Sequence, residues 1–321
     1  MFEVMKRAGR MGVAGLLLLM MMVVAGCAPL GYQHNQGFVF GTVYNITYQS
    51  AENLQAEIEA ELQKVDAEFS MFNEHSTVSR LNRGEQVDTS AMFSEVYQLA
   101  QTVNRETCGA FDITVAPLVN AWGFGFKHEQ IPTVQQVDSL LLIRSQMDFS
   151  AIAKGYGCDA VARLLERHGI ANYMVEIGGE VVLRGQSPSQ ADWRIGVTKP
   201  TADTLAVEGE VQAVLTLTDC AMATSGNYRN FYDKDGRRYA HTIDPRTGYP
   251  VQHSLLSATV LAADCATADA YATSFMVLGL DSAKAVLEHH PELSAYLIYA
   301  DSQSQMQVWH SPTLDGKITT P

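Results

Sequence analysis

The sequence predicts an α+β fold of antiparallel sheets with packed helices. Strand-like runs at 172–177, 180–184, 193–198 and 211–218 follow one another with no helical run between them. Such a succession makes antiparallel meanders and argues against a doubly wound parallel sheet. Elsewhere, apolar residues recur at helical spacing, as in Leu54, Ile58, Leu62, Val65 and Phe69. Tight turns, Gly178-Gly179 and Asp235-Gly236, join neighbouring strands.

Taken in order, Phe38–Tyr48 alternates and is rich in β-branched and aromatic residues, so it reads as a strand that Gly41-Thr42 interrupts for a close approach by backbone or ligand. The run from Leu54 to Phe69 is an amphipathic helix, with Glu and Gln on its outer face. Ser70–Asn82 reads as a polar loop opening a short helix, and Ser90–Arg105 as a second amphipathic helix with Phe93, Val96, Leu99 and Val103 inward. Phe111–Phe126 is apolar but broken by Asp112, Pro117 and glycines. It is either a buried connection or a ligand wall in which Ala116, Pro117 and Leu118 face a planar ring. Thr133 and Gln136 form a capping-box pair. Asp148–Tyr156 reads as a strand end turning into a helix that His168-Gly169 terminates. Its turn offers backbone N–H groups and Lys154 at a helix N-terminus, a natural phosphate site but not a Walker A loop. After the meander comes a strand at Ser257–Leu261, a helix from Ala263 to Thr273, a helix near Asp281–His290 and two further strands.

Composition narrows the functions. Over 321 residues, 35 Asp and Glu outnumber 22 Lys and Arg, for a formal charge of −13, and no basic run occurs. That balance argues against a nucleic-acid partner. Lys6, Arg7 and Arg10 precede an apolar run and then Val24-Ala25-Gly26-Cys27. This has the order of a secretory signal and is similar to a bacterial lipobox, which implies lipidation of Cys27 and anchoring on the periplasmic side of the inner membrane. The expected organisation is a signal peptide at 1–26, a lipidated tether at 27–37 and one catalytic domain at 38–321. Cys108, Cys158, Cys220 and Cys265 have no CxxC spacing and read as buried thiols.

The stretch from Thr224 to Pro250 is the densest in chemistry. Ser225-Gly226-Asn227 reads as a turn, and Asp235-Gly236 closes a hairpin whose returning strand carries Tyr239–Ile243. His241 near the end of that strand is either a solvated hairpin histidine or a presented reactive group. On the helix that follows, Asp269 and Thr273 lie one turn apart. They are oxygen donors of the kind Mg²⁺ takes, but taken alone the pair reads as ordinary helix, with Asp favoured in the first turns and Thr as filler.

Four segments in this order, DFSAIAKGYGCD, YMVEIGGE, SGNYRNFY with HTIDPRTGYP, and TADAYATSFMVLG, resemble the ApbE family of FAD:protein FMN transferases. The resemblance implies a T-fold-like architecture and an exported, Mg²⁺-dependent enzyme. Such an enzyme moves FMN from FAD to a Ser or Thr hydroxyl of an acceptor protein, a subunit of a membrane redox complex, and releases AMP. It implies FAD pyrophosphate near Asp148 and Lys154, and Mg²⁺ held by the Ala151 carbonyl, Asp269 and Thr273. Phe40, Phe72 and Ala116-Pro117-Leu118 would line the flavin and adenine pockets, with His241 and Ile243 closing over the ligand and His241 as general base. Phe40 stands where Met is common in the family, Phe72 where Tyr or Trp is, and Cys158 at a usually apolar position. An FAD pyrophosphatase and a non-catalytic flavin-binding lipoprotein are the alternatives that the sequence leaves.

Overall fold

The protein is described by a computed structural model covering residues 30–124, 131–143, 145–200, 210–227, 231–234 and 237–321, with side chains of 231–240 left aside. The signal peptide, Cys27, the aromatic Tyr228 and the Asp235-Gly236 turn lie outside the described residues. Among the described residues no helix is long and apolar enough to cross a membrane.

An eight-stranded sheet, antiparallel at every junction, forms the centre in the order β1-β2-β3-β4-β7-β10-β11-β12. Its strands are β1 (Tyr32–Val39), β2 (Thr42–Gln49), β3 (Tyr173–Ile177), β4 (Glu180–Arg184), β7 (Cys220–Gly226), β10 (Leu255–Ala262), β11 (Ser294–Ala300) and β12 (Met306–His310). A second sheet is made of β5 (Trp193–Thr198), β6 (Val211–Leu217) and β13 (Ile318–Thr319). The strand period of two separates the faces. Val182, Ala221, Ala223 and Val260 pack under helices, whereas Val181, Leu183, Met222 and Leu261 pack against Leu215 and Trp193 of the small sheet.

The helices are α1 (Gln55–Phe69), α2 (Thr77–Asn82), α3 (Ala91–Glu106), α4 (Ala116–Ala121), α5 (Val134–Leu141), α6 (Ala153–Arg167), α7 (Cys265–Leu278) and α8 (Leu280–His289). α7 is apolar nearly all round and runs through the core, its Ala266, Ala268, Ala270 and Ala272 letting neighbours approach closely. Thr133 and Gln136 cap α5 with both capping-box bonds. Ser90 caps α3 by accepting the Phe93 N–H at 3.0 Å.

Several expectations change. The Phe38–Tyr48 strand is two strands, because Phe40 and Gly41 take φ of 52° and 76° and make a hairpin turn. β1 reaches back to Tyr32, so residues 32–37, expected as tether, are sheet. Phe111–Phe126 is not irregular: Ile113–Val115 is a 3-10 turn leading into α4, with Pro117 in its first turn, where a missing N–H costs nothing. No strand precedes α6, since the Asp148 N–H donates to the Ile113 carbonyl at 2.6 Å in a loop. β5 and β6 form their own sheet instead of continuing the central one. Ser225-Gly226 is not a turn but the end of β7, paired with β10. The returning strand stops at Ala240, in the hairpin of β8 (Phe231–Lys234) and β9 (Arg237–Ala240). Cys158 and Cys265 are buried free thiols as expected, but Cys108 is exposed, at a φ of 51°.

Candidate active site

The N-termini of α6 and α7 meet, and each is capped by a carboxylate from the other. Ile152, the N-cap residue of α6, supplies no side-chain bond. Instead, the Gly155 N–H donates to Asp269 Oδ2 on α7 at 3.1 Å. In return, Asp159 on α6 accepts the N–H groups of Cys265 and Ala266 at 2.8 and 2.9 Å. A side chain at Gly155 would collide with the Cys265 carbonyl, so glycine is what permits this approach. The capping exchange explains why Asp269, though 2% exposed, can be buried at all.

Lys154 completes a charge cluster here. Its Nζ lies 2.6 Å from Glu180 Oε1 and 4.0 Å from Asp269 Oδ1. Burial works against the ammonium, but the Asp269 and Glu180 carboxylates more than offset it and hold its pKa well above the ordinary value. Burial pushes the Glu180 carboxyl up to about 7, against the pull of Lys154. Asp269 is raised likewise by burial, opposed by Lys154 and the Gly155 N–H. Thr273, one turn along α7, shares a 3.0 Å hydrogen bond with Ser225 on β7.

These groups open into a cavity of about 850 Å³. Phe40, Phe72, Ala116, Asp148, Ala151, Lys154, His241, Ile243, Asp269 and Thr273 all line it. Pro117 and Leu118 do not. The turn of helix at α4 carries Leu118 away from the cavity into a small cluster with Trp122, Val137 and Ile243. Phe40 is pressed onto α6, where a Cβ on Gly157 would stand 2.7 Å from its ring. Asp148 ties down the turn before α6 by accepting the Ser150 N–H at 2.8 Å. His241 lies just beyond β9, its ring 6.4 Å from that of Phe124 and inclined by 70°. The loop after it is pinned to α4 by Trp122, whose Nε1–H donates to the Gly248 carbonyl at 2.7 Å.

Sequence reasoning missed Glu180, Ser225, Asp112 and Asn120 as cavity residues. Glu180 had a signal, a lone charge opening the apolar run Val181-Val182-Leu183. Ser225 had none, because its register on β7 is a tertiary fact.

The cavity wall carries Asp112, Asp148, Glu180 and Asp269 against Lys154 as its lysine. A pyrophosphate entering such a site needs an additional cation. Among the described residues no three His, Cys, Asp or Glu side chains gather as a metal group. Asp269, Thr273 and Ala151 among its lining residues offer a carboxylate, a hydroxyl and a backbone carbonyl, hard oxygens of the kind that fits Mg²⁺. The buried, unpartnered Oε2 of Glu180 agrees with a site that lacks positive charge.

A family model described as the ApbE family matches residues 40–297. The chain belongs to the ApbE family. A protein of Haemophilus influenzae named FAD:protein FMN transferase is 40% identical over 82% of this chain and 85% of its own length. One of Vibrio cholerae with the same name is 38% identical over 84% and 89%. The flavin transferase ApbE structure from Vibrio cholerae superposes with a TM-score of 0.79 at 35% identity, over 89% of this chain and 99% of that one. The apo flavinyl transferase ApbE of Pseudomonas stutzeri gives 0.78 at 28% identity, over 91% and 98%. The antiparallel sheet with its buried α7 is thus the ApbE fold.

Proposed function

We propose that this chain is an FAD:protein FMN transferase. It transfers FMN from FAD to a Ser or Thr hydroxyl of an acceptor protein through a phosphoester bond and releases AMP. The observation that carries the reading is the single cavity into which Lys154, Asp269, Thr273 and His241 all open. Its volume of about 850 Å³ is within the range of ligand pockets, about 300–1,000 Å³. Asp269, Thr273 and the Ala151 carbonyl would hold Mg²⁺, which supplies charge neutralisation on the pyrophosphate. Lys154, kept charged by its two carboxylate neighbours, binds the same phosphates. Phe40 and Phe72 offer flat apolar surface to the rings. His241 takes the proton from the acceptor hydroxyl, a contribution of about 10²–10⁴-fold to the rate. The basic and apolar start of the chain leading to Cys27 supports export and lipid anchoring, which suits acceptors among membrane redox proteins.

The test is intact mass of a recipient domain incubated with the purified protein, FAD and Mg²⁺. A recipient heavier by one FMN, with AMP formed in its presence, is expected. AMP and free FMN in the absence of recipient would make the enzyme a pyrophosphatase instead.

A further inference from the structure

Lys154 lies unequally between two buried carboxylates, at 2.6 Å from Glu180 and 4.0 Å from Asp269. Asp269 spends Oδ2 on the Gly155 N–H, so Oδ1 is the oxygen that it can offer a cation. Glu180 opens β4 with its side chain 3% exposed, and its Oε2 is buried without a hydrogen-bond partner. Among the described residues the one ion pair of this carboxylate is with Lys154. A carboxylate placed so deep, for so little structural return, serves what it binds.

We propose that Glu180 is a positioning residue that holds the Lys154 ammonium off Asp269, and so keeps Oδ1 of Asp269 open to a divalent cation. The inference rests on Asp269 being a metal ligand, as read above. Two fixed carboxylates compete for one ammonium on a flexible four-carbon stem. Coulomb attraction favours the nearer partner, Glu180. Without its charge the ammonium closes the 4.0 Å gap and neutralises Asp269. A metal ion must then displace a like charge from its own ligand. With Glu180 in place, the cation and Lys154 each have a carboxylate, and both face the incoming phosphates.

The experiment is Mn²⁺ binding to the FAD-free protein, followed by electron paramagnetic resonance, with thermal unfolding as the check on folding. Wild type is expected to bind and Asp269→Ala to lose binding. Equal binding in that variant overturns the ligand reading and this proposal with it. Glu180→Gln is expected to weaken Mn²⁺ binding by at least about tenfold, and wild-type affinity in it overturns the proposal alone. Loss of a nearby negative charge would also weaken binding, so the decisive comparison is made without the lysine. If Glu180 acts through Lys154, then Lys154→Met and Lys154→Met/Glu180→Gln bind Mn²⁺ equally, within about twofold. If the Gln substitution weakens binding by the same factor with Lys154 absent as with it present, Glu180 acts directly on the metal and the proposal fails. Glu180→Asp, whose carboxylate is drawn back by one methylene, is expected to fall between wild type and the Gln variant. It gives the readout should Glu180→Gln not fold, and in that case wild-type affinity in it overturns the proposal.

Discussion

His241 stands one residue beyond β9, near the ring of Phe124, and lines the same cavity as Lys154 and Asp269. In the proposed mechanism, replacing it with Ala removes the base and leaves Lys154 and Asp269 in place. FAD affinity, read by flavin fluorescence, is expected to change by less than about threefold, while transfer to the acceptor falls by about 10²–10⁴-fold. Unchanged turnover would take His241 out of the mechanism. Asp269 caps Gly155 and, in the proposed function, also holds the metal, so its loss has two signatures. Asp269→Ala removes the cap on Gly155, expected to cost about 0.5–2 kcal/mol in a denaturant titration. It also raises the Mg²⁺ concentration for half-maximal turnover sharply. A variant that loses stability but keeps the wild-type metal titration would make Asp269 a cap alone. His253 gives a pH signature of its own. Its Nε2 meets the Met276 carbonyl at 2.8 Å and its Nδ1 meets the Leu255 N–H at 3.2 Å, a pair of bonds that only the neutral ring makes. Burial lowers its pKa below the ordinary 6.5. The unfolded chain therefore takes up the proton first, so the stabilisation is complete above pH 6.5 and is lost as pH falls through the lowered value. Thermal midpoints measured downward from pH 7 should drop less steeply in His253→Gln than in the wild type.

At the scale of elements, the turn at 244–248 shows how a loop is fixed by its neighbours. Asp244 and Arg246 make a bidentate ion pair with bonds of 2.9 and 2.8 Å, and the Gly248 N–H closes the turn on the Asp244 carbonyl. Gly248 itself has a φ of 79°, and a Cβ there would stand 2.6 Å from Val137 and 3.2 Å from Leu118. Gly248→Ala is therefore expected to cost about 1–3 kcal/mol and to push the loop that carries Ile243 off α4. A chemical denaturation midpoint equal to the wild type would refute this packing. The sequence made the turn legible through Asp244-Pro245 and Gly248, because turn chemistry is local. It made α1, α3 and α5 legible through period and caps. It did not reveal that Phe40-Gly41 reverses the chain, since Phe at positive φ is disfavoured and is held by its packing on Gly157. Nor did it reveal α4, whose short apolar helix leaves no polar face to mark a period.

For the molecule as a whole, the antiparallel class was legible because consecutive strands with tight turns leave little topological choice. The division into two sheets was not, because β5 and β6 have the same alternation that a central strand would have. The site lay in plain view as separate pieces, Lys154 on α6 and Asp269 on α7. What joined them in space is the reciprocal capping through Asp269 and Asp159, which no local pattern encodes. A ligand bound at that junction in the folded state alone would add to global stability. A metal–FAD complex at about a hundred times its Kd should stabilise the fold by about 2.7 kcal/mol, visible as a rise in Tm. Asp269→Ala should show little of that rise; a full rise in the variant would place the ligand elsewhere.

The unpaired thiols have a practical consequence. Cys158 and Cys265 are sealed in the core and Cys220 is half-buried, which leaves Cys108 as the exposed sulfhydryl among the described residues. The backbone beside it, at Gly109, lies against the Arg246 side chain of the turn that follows Ile243. Ala110, two residues on, lines the cavity, so a maleimide fluorophore attached at Cys108 would report from the cavity's edge. Its emission, quenched by an arriving isoalloxazine, would give the rate of substrate entry in a stopped-flow trace without any engineered cysteine.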